Sequence, residues 1–527
     1  MTTPSSSDLS IPRREPDRRL PRIMITGASG FLGRHLLDAL KEKYRIVGMA
    51  RRSQRESGAP VHHNISWSQV DIGDAESLAT VFKKTLEDGP IEVLIHLAAF
   101  YDFTGDPHPE YYRTNVDGLR NVLELAKDMH LKRFIFASSV AACYFPAPGT
   151  ALDEFSPPDG EHIYAVTKRI GEEMVATYRD KMPYCIVRFG AMFSDWCEYP
   201  PLYVFLETWL SRVWNRRVLA GKGRSAIPYL HVRDAVVFMT KLLERHEYLP
   251  PDVTLVASTD GAVSHLDLFE SATTAYLGRR VRPTFMPKLI CRIGLYAMDW
   301  MGRVLGSRPF ERPWMGQYID LEMTVKAKVT REMLDWSPKA RLQILRRIPF
   351  LMENLKTNPI EWGSRNRAAM KGYRMHANLR IHRLLEIHEE QIRDMLTQTF
   401  LGPEAKGRFG TYQRINPEDL DWNHRLILRH LKNAVRTREK ALFMAYCRDL
   451  AGRRFEQGFS EQEVCDAVTA VGEVSIRVLR ADPQSEGLEN RLHDYITMTI
   501  HLGLDEIQEV FEELSERHRP TEVLLRP

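Results

Sequence analysis

The stretch Ile23-Met24-Ile25-Thr26-Gly27-Ala28-Ser29-Gly30-Phe31-Leu32-Gly33 decides the fold. An apolar, β-branched run meets three glycines at G-x-x-G-x-x-G spacing, and an amphipathic stretch, Gly33–Glu42, follows at once. The three glycines do different things. Gly27 permits a tight turn, Gly30 lets backbone N–H groups approach an anion, and Gly33 lets the helix pack on the strand. Ser29, Phe31 and Leu32 complete the loop and the first helical turn. A strand–loop–helix of this kind turns the positive end of a helix toward the pyrophosphate of a dinucleotide.

Downstream, the runs YRIVGMA, VLIHLAA, FIFASS and YCIVRF read as buried parallel strands, with helical patterns such as Asn115–Met129 between them. This alternation predicts an α/β fold, a doubly wound parallel sheet of Rossmann type, over residues 22–355. A small substrate-binding lobe is expected within that span. From about residue 356 strand-like runs give way to helical periodicity, as in Ile381, Leu384, Leu385, Ile392, Met395 and Leu396. The expected organisation is a disordered tail (1–21), the dinucleotide-binding domain (22–355), a linker (356–378), an all-α C-terminal domain (379–518) and a short tail (519–527).

Composition narrows the classes. The chain of 527 residues is 43% hydrophobic and 27% charged, with a formal net charge of +4. No concentrated basic stripe argues for nucleic acid. Six scattered cysteines, without a CxxC pair, fit neither a disulfide framework nor a zinc site, and point to a reducing cytoplasm. The histidines of the helical region include His376 and two pairs six residues apart, His382/His388 and His424/His430. That is not metal spacing on one helix face, so solvent-facing or helix-terminal roles are expected and no metal. No window approaches the ~20 apolar residues of a membrane span. Leu289–Leu305 is interrupted by Arg292, Asp299 and Arg303, and reads as a buried amphipathic helix in preference to a peripheral membrane contact.

The second strand ends in Arg51-Arg52. An acidic residue there suits a ribose 2′-OH and a cation suits a 2′-phosphate, so NADP is preferred over NAD, with Arg51 the first candidate and Arg52 the second. Tyr164 and Lys168 stand at YxxxK spacing, one helical turn apart, and Ser139 closes a strand twenty-five residues earlier. An ammonium beside a phenol lowers its pKa from about 10 toward neutrality. Tyr164 is then a candidate general base in oxidation or general acid in reduction.

Taken in order, these motifs resemble the extended short-chain dehydrogenase/reductase family, also called the NAD-dependent epimerase/dehydratase family, over residues 22–355. The resemblance implies further roles. Asp71 and Ile72 in QVDIGD would recognise the adenine ring, and Ala98 and Ala99 in His96-Leu97-Ala98-Ala99 would line the cofactor. Asn115 would open the following helix, and Lys168 would hydrogen-bond the nicotinamide ribose. Ser139, with Ser138 the neighbouring candidate, would bind the substrate oxygen. Nucleotide-sugar members carry an asparagine in the strand after YxxxK and an arginine four residues before the equivalent of His231. Here the strand is Val187-Arg188-Phe189-Gly190-Ala191-Met192-Phe193 and the second position is Ile227, with Arg224 upstream. The leading expectation is therefore alcohol–carbonyl interconversion on a small hydrophobic substrate. Tyr199–Trp214 supplies large apolar residues where the family builds its pocket. Nucleotide-sugar epimerisation or dehydration is the first alternative, and a redox-sensing regulator that binds NADP without turnover is the second. The helical region offers a surface for self-association or a protein partner.

Overall fold

The computed structural model describes residues 16–103, 105–211, 213–304, 309–371, 377–402, 405, 407–482, 485 and 487–517. The expected C-terminal tail, His376 and residues 1–15 of the expected N-terminal tail lie outside them. The chain divides into two compact units, residues 1–374 and 375–527.

The first unit is built on a seven-stranded parallel sheet. Strands β1 (Arg22–Thr26), β2 (Arg45–Ala50), β3 (Ile65–Gln69), β4 (Val93–His96), β5 (Arg133–Ser139) and β6 (Tyr184–Phe189) are joined by a last strand, Asp252–Ala257. The order across the sheet is Asp252–Ala257, β6, β5, β4, β1, β2, β3. The chain winds outward from β1 through β2 to β3, then returns to β4 and winds the other way. The switch point therefore falls between β1 and β4, where Ile25 is paired with Gly48 on one side and Ile95 on the other. Such a crevice, at the carboxyl ends of the strands, is where doubly wound sheets bind ligands.

Side chains alternate across this sheet because strands have a period of two. Ile23 and Ile25 join Leu36, Leu37, Phe238 and Trp336 on one face. Met24 joins Val47, Leu78, Leu119, Phe136 and Val175 on the other. Truncating a fully buried member such as Leu36 to alanine costs about 2–5 kcal/mol. Helix α1 (Phe31–Leu40) buries Leu32, Gly33, Leu36, Leu37 and Leu40 as one stripe.

The small lobe packs the helices Pro200–Leu210, His265–Leu277 and Ile344–Thr357 around Leu202, Leu206, Trp209, Phe269 and Ile348. Much of the aromatic stretch expected to line a substrate pocket is thus core here, and Trp214 is exposed. The stretch expected as linker carries a helix, Pro359–Lys371, whose Trp362 is buried in the same cluster. At the other end Asp17, expected in the tail, donates its amide to Asn64 Oδ1 at 3.0 Å.

One expectation is corrected by the helix Lys288–Val304. Its apolar face is exposed rather than buried, while Cys291, Asp299 and Gly302 form the inward side. Periodicity reveals two faces but does not say which one the fold covers.

The second unit is all-α among the described residues, with its longest helices at Pro417–Thr437, Ala441–Glu456, Glu461–Ala481 and Met498–Arg517. Val464, Val468, Val471 and Val478 recur at helical spacing and pack with Leu428, Phe443 and Phe511. Of two histidines singled out, His424 departs from the expectation of a solvent-facing or helix-terminal role, and His388 is helix-terminal, at the N-cap of Glu389–Leu401. His424 is buried edge-on to Phe400, and His388 pairs with Asp482 at 2.7 Å.

Candidate active site

The glycine loop shows why no side chain is tolerated at its ends. Gly27 adopts φ +69°, and a Cβ there would lie 2.6 Å from the amide nitrogen of Ala98. A Cβ on Gly33 would lie 2.7 Å from the carbonyl oxygens of Gly27 and Ala28. Gly30 is the N-cap of α1 and provides no side-chain cap, so the first-turn amides stay available to an anion. These features fit the pyrophosphate of a dinucleotide, with Ser29, Phe31 and Leu32 in the same turn.

At the end of β2 the two arginines diverge. Arg52 folds over the glycine loop and donates to the Ser29 carbonyl at 2.9 Å, and burial lowers its pKa. Arg51, the first candidate, is half exposed and pairs with Glu110 at 3.0 Å. Glu110 also accepts from Arg113 at 2.8 Å and from Thr114 at 2.7 Å. Arg113 reaches Asp71 at 2.8 Å, and the Gly73 amide donates to the same carboxylate at 2.9 Å. Burial works against ionisation of Asp71, but the Arg113 and Gly73 hydrogen bonds outweigh it and hold the carboxyl below its ordinary value. Ile72 beside it is buried in the sheet's second core. Glu110 and Arg113 had no sequence signal, because they reach this end of the sheet from the helical turn before Asn115.

Asn115 lies in a π-helical segment, Arg113–Asp117, that follows the short helix Glu110–Tyr112. The segment aims Asn115 inward, where Oδ1 accepts from the Phe100 amide at 2.7 Å. Nδ2 donates to the Phe100 carbonyl at 3.0 Å and to Thr167 Oγ1 at 3.1 Å. Asn115 therefore ties the loop after β4 to the helix Ile163–Ala176, which carries Tyr164 and Lys168. Ala98 and Ala99 stand at the start of that loop, and the Ala98 amide donates to Thr26 Oγ1 at 3.4 Å. His96, hydrogen-bonded to Thr26 at 2.9 Å, is pushed down to about 3 by burial and by the charge of Lys168.

The two serines at the end of β5 face different partners. Ser138 Oγ donates to Glu172 at 2.5 Å, and Glu172 is locked in a buried ion pair with Arg188 at 2.7 Å. Ser139 Oγ accepts from the Ala141 amide at 3.2 Å, and its hydroxyl acts on Tyr164, pulling the phenol's pKa down. Ser139, not Ser138, thus meets the tyrosine. Lys168 is buried, its Nζ donating to the Ala137 carbonyl at 2.6 Å and lying 5.7 Å from the Tyr164 ring centroid. Burial pulls its pKa down to about 8, against the attraction of Glu172. Tyr164 differs from the expectation of a depressed phenol. Burial pushes its pKa up, and the Ser139 hydroxyl only partly offsets this. The ammonium faces a carbonyl and the ring, not the phenolic oxygen.

An aromatic enclosure surrounds Tyr164. Tyr101 stacks on it at 4.0 Å and 15°, and His162 lies 6.1 Å away at 14°. Trp314 covers His162 at 5.6 Å, Phe103 follows Tyr101 at 4.0 Å, and Tyr199 meets Phe103 at 5.8 Å. Of these only Tyr199 lay in a stretch singled out from sequence. The dense aromatic run Phe100-Tyr101-Asp102-Phe103, directly after β4, was the available signal.

Residues 23–257 match the model of the NAD dependent epimerase/dehydratase family. This segment is similar to the members of that family. Among curated relatives, a putative UDP-glucose 4-epimerase of Methanocaldococcus jannaschii is 24% identical over 40% of this chain and 70% of its own. A uronate dehydrogenase of Pseudomonas putida is 27% identical over 36% and 66%, and a dTDP-D-glucose 4,6-dehydratase of Dictyostelium discoideum is 24% identical over 48% and 61%. The chain thus spans between 61% and 70% of the length of these three relatives. A solved UDP-glucuronic acid 4-epimerase from Bacillus cereus, in complex with UDP-glucuronic acid and NAD, is 20% identical. It covers 63% of this chain and 99% of its own, with a TM-score of 0.48. The family and its epimerase, dehydratase and dehydrogenase relatives support an NAD(P)-dependent enzyme.

Proposed function

We propose that this unit interconverts an alcohol and a ketone or aldehyde on a small hydrophobic substrate, with Ser139, Tyr164 and Lys168 as its catalytic residues. The observation that carries this reading is the aromatic enclosure around Tyr164, which suits an apolar molecule better than a charged sugar nucleotide. A bound nicotinamide supplies or accepts the hydride. Tyr164 Oη gives a proton to the substrate oxygen in reduction and takes it back in oxidation. Ser139 Oγ hydrogen-bonds the same oxygen and opposes charge building on it. Lys168, charged below about pH 8 and directed at the Ala137 carbonyl, hydrogen-bonds the nicotinamide ribose when the cofactor is bound. Gly27, Ser29, Gly30, Phe31, Leu32 and Gly33 hold the pyrophosphate, while Asp71, Ile72, Ala98, Ala99 and Asn115 shape the rest of the cofactor groove. Arg51 and Arg52 supply the cations that favour NADP over NAD.

A second reading, nucleotide-sugar epimerisation or dehydration, is favoured by the activities named for the curated relatives. Net cofactor consumption separates the two. Stoichiometric NADPH oxidation with hydrophobic aldehydes or ketones, abolished by Tyr164→Phe, is the expected result. Conversion of a UDP- or dTDP-sugar without net cofactor change, and no turnover of the carbonyls, would replace the first reading with the second.

A further inference from the structure

The helix Lys288–Val304 is inside out for a soluble protein. Leu289, Ile293, Tyr296, Trp300 and Val304, spaced four, three, four and four residues apart, form one continuous stripe. Leu289 is 70% exposed, Trp300 68% and Val304 68%. The opposite side packs inward, with Asp299 only 4% exposed and bonded to Arg303. Exposed apolar side chains scattered singly need no explanation, but an unbroken helical stripe with its own buried carboxylate does.

The charge around the stripe identifies what covers it. Residues 279–304 contain six Lys/Arg and a single carboxylate, the inward Asp299. Arg279, Arg280 and Arg282 are exposed on the approach to the helix. The short strand Thr284–Met286 pairs in parallel with Val218–Ala220, and the Thr284 amide donates to the Arg217 carbonyl at 2.7 Å. That pairing brings exposed Arg217 to the strand that follows the same arginines, and Trp214, three residues earlier, is 84% exposed. Lys288 and Arg303 pair with the buried carboxylates of Asp320 and Asp299, and the remaining cations of the stretch flank an apolar and aromatic helix face, which matches the chemistry of an anionic bilayer surface. No helix among the described residues is long and apolar enough to cross a membrane, so the contact is with one leaflet. A second copy of this chain would bring the same cations together.

We propose that the helix Lys288–Val304 and its arginine-rich approach form a docking face for anionic phospholipid membranes. The face sits behind the catalytic enclosure. The 3-10 segment Pro313–Tyr318, which supplies Trp314, packs on this helix where Gly316 approaches Arg292 and Leu295. Docking would bring that wall of the site close to the bilayer. The docking itself does not depend on which substrate the site takes.

Flotation of the full chain with vesicles tests the proposal. Binding is expected to phosphatidylcholine vesicles containing phosphatidylglycerol, with far less to phosphatidylcholine alone. Ile293→Asp/Trp300→Asp, both at exposed positions, should cut the partition coefficient at least tenfold while leaving the melting temperature unchanged. Arg280→Gln/Arg282→Gln should cut it about 25-fold, at about fivefold per cation. Sedimentation velocity supplies the alternative occupant. Absence of binding to anionic vesicles, undiminished binding of the Ile293→Asp/Trp300→Asp variant, or a dimer split by that variant without lipid binding would each overturn the proposal.

Discussion

The rings of Tyr101 and Tyr164 lie 4.0 Å apart and within 15° of parallel, so a residue of the loop after β4 covers one face of the proposed acid–base tyrosine. Asn115 fixes that loop by gripping both backbone groups of Phe100, which leaves Tyr101 little freedom to drift. A stacked aromatic of this kind contributes about 0.5–1.5 kcal/mol beyond its buried area. Tyr101→Ala is therefore expected to raise KM for hydrophobic carbonyls about 2- to 13-fold, with kcat within threefold. Steady-state kinetics decide it. A collapse of kcat at constant KM would assign Tyr101 to the chemical step instead.

Ser138 and Ser139 are neighbours with separable jobs. Ser138 completes a buried network with Glu172 and Arg188, so Ser138→Ala should cost about 1–3 kcal/mol of stability and little activity. Ser139→Ala removes the hydroxyl that acts on Tyr164 and is proposed to bind the substrate oxygen, and kcat/KM should fall about 100- to 1000-fold with little change in stability. Thermal melts and kinetics on both variants read this directly, and the opposite pattern would exchange their roles.

In the protein without cofactor, Tyr164 stays protonated through neutral pH, because burial raises its pKa and Lys168 is directed at the Ala137 carbonyl. Absorbance titration near the tyrosinate band should give the same curve for the wild type and Tyr164→Phe between pH 6 and 9. An ionisation near pH 7 present only in the wild type would show that the lysine already activates the phenol.

What the sequence made legible follows from how local each signal is. The glycine loop depends on one positive φ at Gly27 and on close backbone approach at Gly33, and both are written in eleven consecutive residues. Tyr164 and Lys168 are legible because four residues make one helical turn. The enclosure was not, since Tyr101, His162, Tyr199 and Trp314 come from four separate segments and no periodicity links them. The raised Tyr164 pKa was hidden for a related reason. Spacing predicts that a lysine is near, but burial and the direction of its ammonium belong to the tertiary structure. The Lys288–Val304 helix shows the same gap, for its amphipathic pattern could not say which face is covered.

Cofactor choice turns on Glu110 as much as on Arg51. While Glu110 holds Arg51, part of the positive charge expected for a 2′-phosphate is neutralised. Glu110→Gln should release it and tighten NADP binding about two- to fivefold, in keeping with an exposed ion pair worth up to about 1 kcal/mol. Affinity for NAD should stay within twofold. Arg51→Glu should weaken NADP far more than NAD, as followed by fluorescence titration of the reduced nucleotides. Equal effects on both would remove Arg51 from the 2′-phosphate site.

Histidine burial sets the acid limit of the first unit. His162 caps the Tyr164 helix by accepting from the Ala165 amide at 3.3 Å, and burial pushes its pKa down to about 4. The unfolded chain takes up a proton near the ordinary value of about 6.5, while the folded chain does not until about pH 4. Between those values the unfolded state binds more protons, so stability rises with pH and is lost as pH falls from 6.5 toward 4. His96, pushed down to about 3, adds to the loss in the same direction and extends it lower. His162→Asn keeps an acceptor at the helix N-cap and removes the titration. The stability difference between wild type and this variant should therefore move by on the order of 2 kcal/mol in the variant's favour between pH 7 and pH 4. Urea unfolding at the two pH values measures it. A difference independent of pH would mean that His162 is protonated in the folded state, and its stacking between Trp314 and Tyr164 would then be that of a cation.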